Sequence, residues 1–173
     1  MNSIIKYITL AVIIIFCQIL VSEYVNIWAV LYITLFPQFI IILPPTINRS
    51  LYMLIAFALG LSIDLCADGV LGLNAAALTA MAYSRNSILK FTLPKASFES
   101  YENVPIIPRT VEVSKLILLN IMMLTVFFTV YVLLDSAATF TFGYTLIKII
   151  LCVATNTILT FICNMVLLDK ILR

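Results

Sequence analysis

The sequence predicts an all-α integral membrane protein with about six transmembrane helices and both termini in the cytoplasm. Three observations carry that prediction: composition, the lengths of the uncharged runs, and the placement of the basic residues. Of 173 residues, 64% are hydrophobic and only 10% are charged, and the mean hydropathy is +1.18. Water-soluble domains are about 45–50% apolar and about 25% charged. This chain has too few polar groups to cover a globule in water. Most of its surface is expected to face lipid or another membrane helix.

The uncharged runs are 7–22, 24–48, 50–63, 69–84, 116–134 and 149–168. A spanning helix needs about 20 largely apolar residues, with about 17 as a lower limit. Extended by flanking residues, the runs give spans at 4–22, 26–44, 50–67, 70–91, 114–134 and 143–168 within a single membrane domain, 1–173. They are too long and too uniformly apolar for the alternating strands of a barrel. Lys6 followed by 7–21 has the outline of a signal peptide, but no small-x-small cleavage site follows, so this stretch is read as an uncleaved first span.

Orientation comes from the basic residues. Lys6, Arg49, Arg85, Lys90, Lys95, Arg109, Lys115, Lys170 and Arg173 fall in alternate loops, while Glu23, Asp68 and Asp135 mark the opposite ones. Nine of the ten Lys/Arg therefore lie on one side, which the positive-inside rule assigns to the cytoplasm. The exception, Lys148, lies just inside the last span and is expected to snorkel outward. A re-entrant hairpin over 50–84 satisfies the same parity as two full spans. The one soluble-looking stretch is the cytoplasmic loop 92–113, in which Pro94, Pro105 and Pro108 exclude a continuous helix.

Chemistry-bearing motifs are scarce. There is no histidine, which removes the commonest general base and zinc ligand. Cys17, Cys66, Cys152 and Cys163 form no CxxC pair and are read as small packing residues. No HExxH, P-loop or GxGxxG is present, and no basic stripe suits nucleic acid. The reading is non-enzymatic, with no cofactor and no metal. Gln18, Asn74, Asn120, Asn156 and Asn164 lie at membrane depth, where they can hydrogen-bond between helices, but they look scattered along the sequence. Pro37 is expected to kink the second span.

The most informative stretch is 56–84. Ala56, Gly60 and Asp64 recur every four residues, as do Gly72, Ala76, Ala80 and Ser84. Such spacing puts small residues on one helix face, where backbones can approach closely in lipid. With a tight turn at Asp68-Gly69, spans three and four are expected to form a close-packed hairpin that also offers a partner interface. On this view a side chain at Gly72 forces the two helices apart. Asp64 has two readings: a proton relay or ion ligand, or a structural acid that lies near the outer headgroups or accepts backbone hydrogen bonds at the start of the fourth span.

Over Gly60–Leu78 the sequence GLSIDLCADGVLGLNAAAL resembles the rod shape-determining MreD family: a Gly, an Asp four residues on, a turn with Gly69, then Leu71-Gly72 and a small-residue helix. The resemblance implies a six-helix fold similar to the substrate-binding subunits of energy-coupling factor transporters. It also implies a non-catalytic scaffold subunit in the bacterial inner membrane. The implied direct partner is MreC, with MreB, RodA and the elongation transpeptidase as further members of the complex that builds lateral peptidoglycan. The alternative function is a small-solute, vitamin-type transporter subunit, which needs an enclosed pocket lined by convergent polar groups.

Overall fold

The computed structural model describes residues 3–24, 31–45, 47–68, 70–93, 106, 111–135 and 142–164. Among these residues the chain is helical and contains no strand: α1 (Ser3–Tyr24), a short α2 (Pro37–Ile42), α3 (Arg49–Ile63) continued by a π turn (Asp64–Asp68), α4 (Leu73–Thr92), α5 (Val113–Asp135) and α6 (Phe142–Cys163). Four helical stretches are long and apolar enough to cross a membrane: Ile5–Glu23, Arg49–Cys66, Val113–Asp135 and Phe142–Cys163. Residues 26–30 and 165–168 of the expected spans, and most of the 92–113 loop, lie outside the described residues.

The long helices are arranged in the order α1, α3, α4, α5, α6, with the most extensive packing of α4 against α3 and α5. α5 shows why it packs. Leu116, Leu119, Asn120, Met123, Leu124, Phe127, Phe128, Tyr131 and Val132 are buried, the alternation of three and four residues that makes one stripe on a helix. α6 is built the other way round. Its buried positions are Thr145, Cys152, Asn156 and Thr160, while Ile147, Ile150 and Ile158 are 64–67% exposed. Polar groups face inward and apolar ones outward, as a helix in hydrocarbon requires.

The second segment departs from expectation. In place of a helix kinked at Pro37, residues 31–36 are non-helical and a six-residue α2 follows. Pro37 is the first residue of that helix, so it starts a helix instead of bending one. A first-turn position suits proline, because its missing N–H has no intrahelical use there. Every residue of α2 is buried, and side chains from α1, α4, α5 and α6 all reach this segment, which therefore runs through the centre of the bundle.

Extended backbone inside a membrane protein must find its hydrogen bonds among neighbouring side chains. Two amides provide them here. Gln18 of α1 accepts from the Leu35 N–H (2.8 Å) and donates to the Ile33 carbonyl (3.1 Å). Asn156 of α6 accepts from the Thr34 N–H (2.7 Å) and donates to the Tyr32 carbonyl (2.8 Å). Residues 33 and 35 thus face one helix and 32 and 34 the other, following the two-residue period of extended chain. Each amide imitates a neighbouring strand. Four of the five polar residues that look scattered in the sequence converge on this segment, with Gln38 donating to Asn164 at 2.7 Å and the Tyr32 hydroxyl reaching Asn74 at 3.4 Å, while Asn120 donates to the Leu116 carbonyl of its own helix.

At the other end of the segment, α2 stops with carbonyls that no helical turn can satisfy. Arg85 of α4 donates through Nη2 to the carbonyls of Ile41 and Leu43. The backbone N–H of Ile106 donates to Ile42 (3.0 Å), and the Tyr52 hydroxyl to Pro44 (2.8 Å). Arg85, expected among the residues of the basic surface, is in fact 1% exposed and stacks over the Tyr52 ring at 4.4 Å. Lys148 reaches the end of α5, where it pairs with Asp135 at 2.7 Å.

Gln18→Leu and Asn156→Leu each strand one backbone donor and one acceptor. Each substitution should lower the unfolding free energy by about 2–6 kcal/mol, taking about 1–3 kcal/mol for each of the two unsatisfied groups. Because both amides grip the same four residues, the double variant should lose less than the sum. Thermal unfolding of the purified protein in one detergent measures both quantities; strict additivity would show that the two grips are independent.

Candidate functional site at the α3–α4 joint

Ala56, Gly60 and Asp64 of the expected stripe are all buried, and they face α4. Gly60 is where the backbones meet. A Cβ there would lie 2.5 Å from Cα and 2.7 Å from N of Ala75, and 2.9 Å from the carbonyl carbon of Asn74. Real Cβ atoms do not come so close to backbone, so only glycine lets α3 lie this near the first turn of α4.

One turn further along α3, the Asp64 carboxylate reaches the same place. Its Oδ2 accepts from the N–H groups of Gly72 (2.8 Å) and Ala75 (3.2 Å), and its Oδ1 accepts from Asn74 (3.0 Å). These are the free N–H groups that begin a helix. The residue at the N-cap of α4 is Gly72, which has no side chain to serve them. Asp64 supplies the cap from the neighbouring helix, and its negative charge suits the positive end of the α4 dipole. Of the two readings of Asp64, the backbone-acceptor geometry is the one observed. The side chain is fully buried.

Gly72 serves differently from expectation. A Cβ built on it meets nothing within 4 Å, so it is no close-approach point. Its backbone has φ 93°, in the left-handed region that glycine adopts freely. That conformation turns the chain from 70–71 into α4 so that the three N–H groups point at Asp64. A bulky residue here strains the turn; it does not wedge the helices.

The rest of the fourth-helix stripe also lies elsewhere. Ala76 is exposed and Ala80 half-buried, while Ala75, Ala77, Leu78, Met81 and Ala82 are buried. The face of α4 that packs is thus rotated from the predicted one, and Ala76 points out of the bundle. Gly69 lies outside the described residues. The receiving residues Asn74 and Ala75 and the segment grips Gln18, Asn156 and Arg85 were not identified as site residues in the sequence. A usable signal was present for the grips, since each is a strongly polar side chain inside or beside an otherwise apolar run.

The joint as built positions backbone. Asp64 touches N–H donors of its own chain, and among the described residues no group of three metal-ligating side chains occurs. No family model, curated protein or solved structure matches the chain.

The joint predicts an ordering of variants. Asp64→Ala should lower the unfolding free energy by about 3 kcal/mol or more, since it orphans buried donors and removes a charged acceptor. Asp64→Asn keeps one acceptor oxygen and should lose less. Gly60→Ala should lose about 1–3 kcal/mol as an overpacked contact. Gly72→Ala should lose about 1–2 kcal/mol from left-handed backbone, and Gly72→Asn, which tolerates that region, should recover part of it. Thermal or denaturant unfolding in a fixed detergent ranks them. An Asp64→Asn protein of unchanged stability but no function would instead indicate a proton-relay role.

Proposed function

We propose that the chain is a non-catalytic scaffold subunit of the MreD type in the cytoplasmic membrane of a bacterium, acting with MreC in the complex that elongates the cell wall. The observation carrying this reading is the joint at Gly60–Ala75. The residues that mark the MreD-like pattern, Gly60, Asp64 and Gly72, each have a separate physical task at one contact. A sequence pattern that builds a single rigid joint fits a protein whose product is a shape. The buried amides support the same reading, because Gln18 and Asn156 direct their hydrogen bonds to the chain's own backbone.

On this reading the chain crosses the membrane six times. The central segment is the second crossing, since it runs from beside Asn74 at residue 32 to beside Arg85 at residues 41–43. α4, with 20 residues, is the fourth crossing; about 30 Å of helix is enough for a full span and argues against a re-entrant hairpin. Lys6, Arg49, Lys90 and Lys115 then share one end of the bundle, the cytoplasmic one by the positive-inside rule. MreB, RodA and the elongation transpeptidase are the wider partners. The direct contact is with the single MreC span, through the outward face of α4 on which Ala76 is exposed.

One observation favours a second reading, a solute-binding transporter subunit: the second segment is discontinuous, as in many transporters. Co-expression with the MreC of the same genome separates the two. The scaffold reading expects MreC to co-purify in mild detergent and expects Ala76→Leu to reduce its recovery several-fold at unchanged melting temperature. Absence of MreC, together with thermal stabilisation by a vitamin-type solute, would replace it with the transporter reading.

A further inference from the structure

Arg85 is buried more completely than its chemistry here explains. Nη2 serves the carbonyls of Ile41 and Leu43, but Nε and Nη1, which carry three of the five guanidinium N–H bonds, have no partner among the described residues. The α2 carbonyls and the Tyr52 ring face offer partial negative charge. Neither is a counter-ion, and among the described residues no carboxylate pairs with this guanidinium.

Its position indicates what does. The guanidinium lies over Tyr52, one turn into α3 and about 5 Å deeper than the helix start at Arg49. The carbonyls of Leu43 and Pro44, at the turn that leads into α3, lie against the guanidinium and the Tyr52 hydroxyl. With Arg49 at the membrane surface, where the six-crossing reading puts it, that is the depth of lipid headgroups. Arg49, Lys90 and Lys115 stand at the same end, where among the described residues the acid is Glu112, paired with Lys115 at 2.9 Å. Basic sites between helices at this depth recognise headgroup phosphates, which offer several acceptor oxygens to a guanidinium.

We propose that Arg85 is a phosphate-binding residue, holding on Nε and Nη1 a phosphate oxyanion that comes from an anionic phospholipid of that leaflet or from free phosphate. Both nitrogens are sealed beneath the chain's own surface, so admitting the oxyanion requires the packing around the guanidinium to open. The Leu43 carbonyl, held by Nη2 of the same group, makes the Leu43 amide a reporter of that opening. The inference rests on the six-crossing topology of that reading but not on MreC, and its test leaves the MreC result untouched.

The chain has four arginines, Arg49, Arg85, Arg109 and Arg173, so a protein labelled at arginine Nε gives a spectrum simple enough to follow each one. The wild-type protein in phosphatidylcholine nanodiscs is titrated with phosphatidylglycerol and, separately, with inorganic phosphate. Arg85→Lys identifies the Arg85 signal; if that variant does not fold, the Arg→Lys changes at 49, 109 and 173 identify it by elimination. The expected result is a saturable shift of the Arg85 Nε–H resonance, accompanied by the Leu43 amide. A response to the lipid alone assigns a headgroup, and a response to inorganic phosphate assigns the free anion. An Arg85 signal unmoved by either, or moved only when an acidic partner protein is added, overturns the proposal.

Discussion

A peptide group in hydrocarbon has no water to turn to, and this constraint governs how the fold is assembled. Regular helices satisfy it internally, so the demanding places are where helices start, stop or are interrupted. Among the described residues, three such places each have a strongly polar side chain standing at them. Asp64 caps the start of α4, Arg85 closes the end of α2, and Gln18 and Asn156 hold the extended chain before α2. Every one of these side chains comes from a different part of the sequence than the backbone it serves. They tie the bundle together as well as satisfying it locally. A non-helical central segment is tolerated because its hydrogen bonds are made to the helices around it.

The same constraint inverts the usual arrangement of polarity. α6 buries Cys152, Asn156 and Thr160 and exposes isoleucine. A hydrophobic stripe is therefore a poor guide to what faces inward, and a polar stripe is a better one. This is also why α4 stands apart. It is the helix least suited by composition to face lipid, and it is wedged between α3 and α5 with residues buried on both sides.

The membrane class, the helices at α1, α3, α5 and α6 and the hairpin at 56–84 were legible in the sequence, because length, charge placement and small-residue spacing report them directly. Two things were not. Residues 31–36 are as apolar as a helix, and nothing in their hydropathy separates extended from helical chain; the distinction lies in Gln18 and Asn156, far away in sequence. The tasks of the glycines were also hidden. Gly60 and Gly72 look alike in a pattern of small residues, yet one answers to a steric contact and the other to a positive φ. Only backbone geometry tells them apart.

That difference bears on how small-residue stripes in membrane helices should be interpreted. In water, an alanine stripe facing outward and one facing inward differ in the polarity of their flanks, so the sequence indicates which is which. In lipid both flanks are apolar, and the spacing of Ala56, Gly60 and Asp64 predicts the same face-sharing as that of Gly72, Ala76 and Ala80. The first stripe is wholly buried, with Gly60 and Asp64 against the α4 backbone, while the second turns Ala76 outward. Asp64 breaks the tie. A carboxylate can be buried in such a bundle only where donors await it, so the stripe that contains the acid must be the one that faces inward. The charged residue, more than the small ones, fixes how the hairpin is rotated and turns Ala76 of the second stripe to the outside.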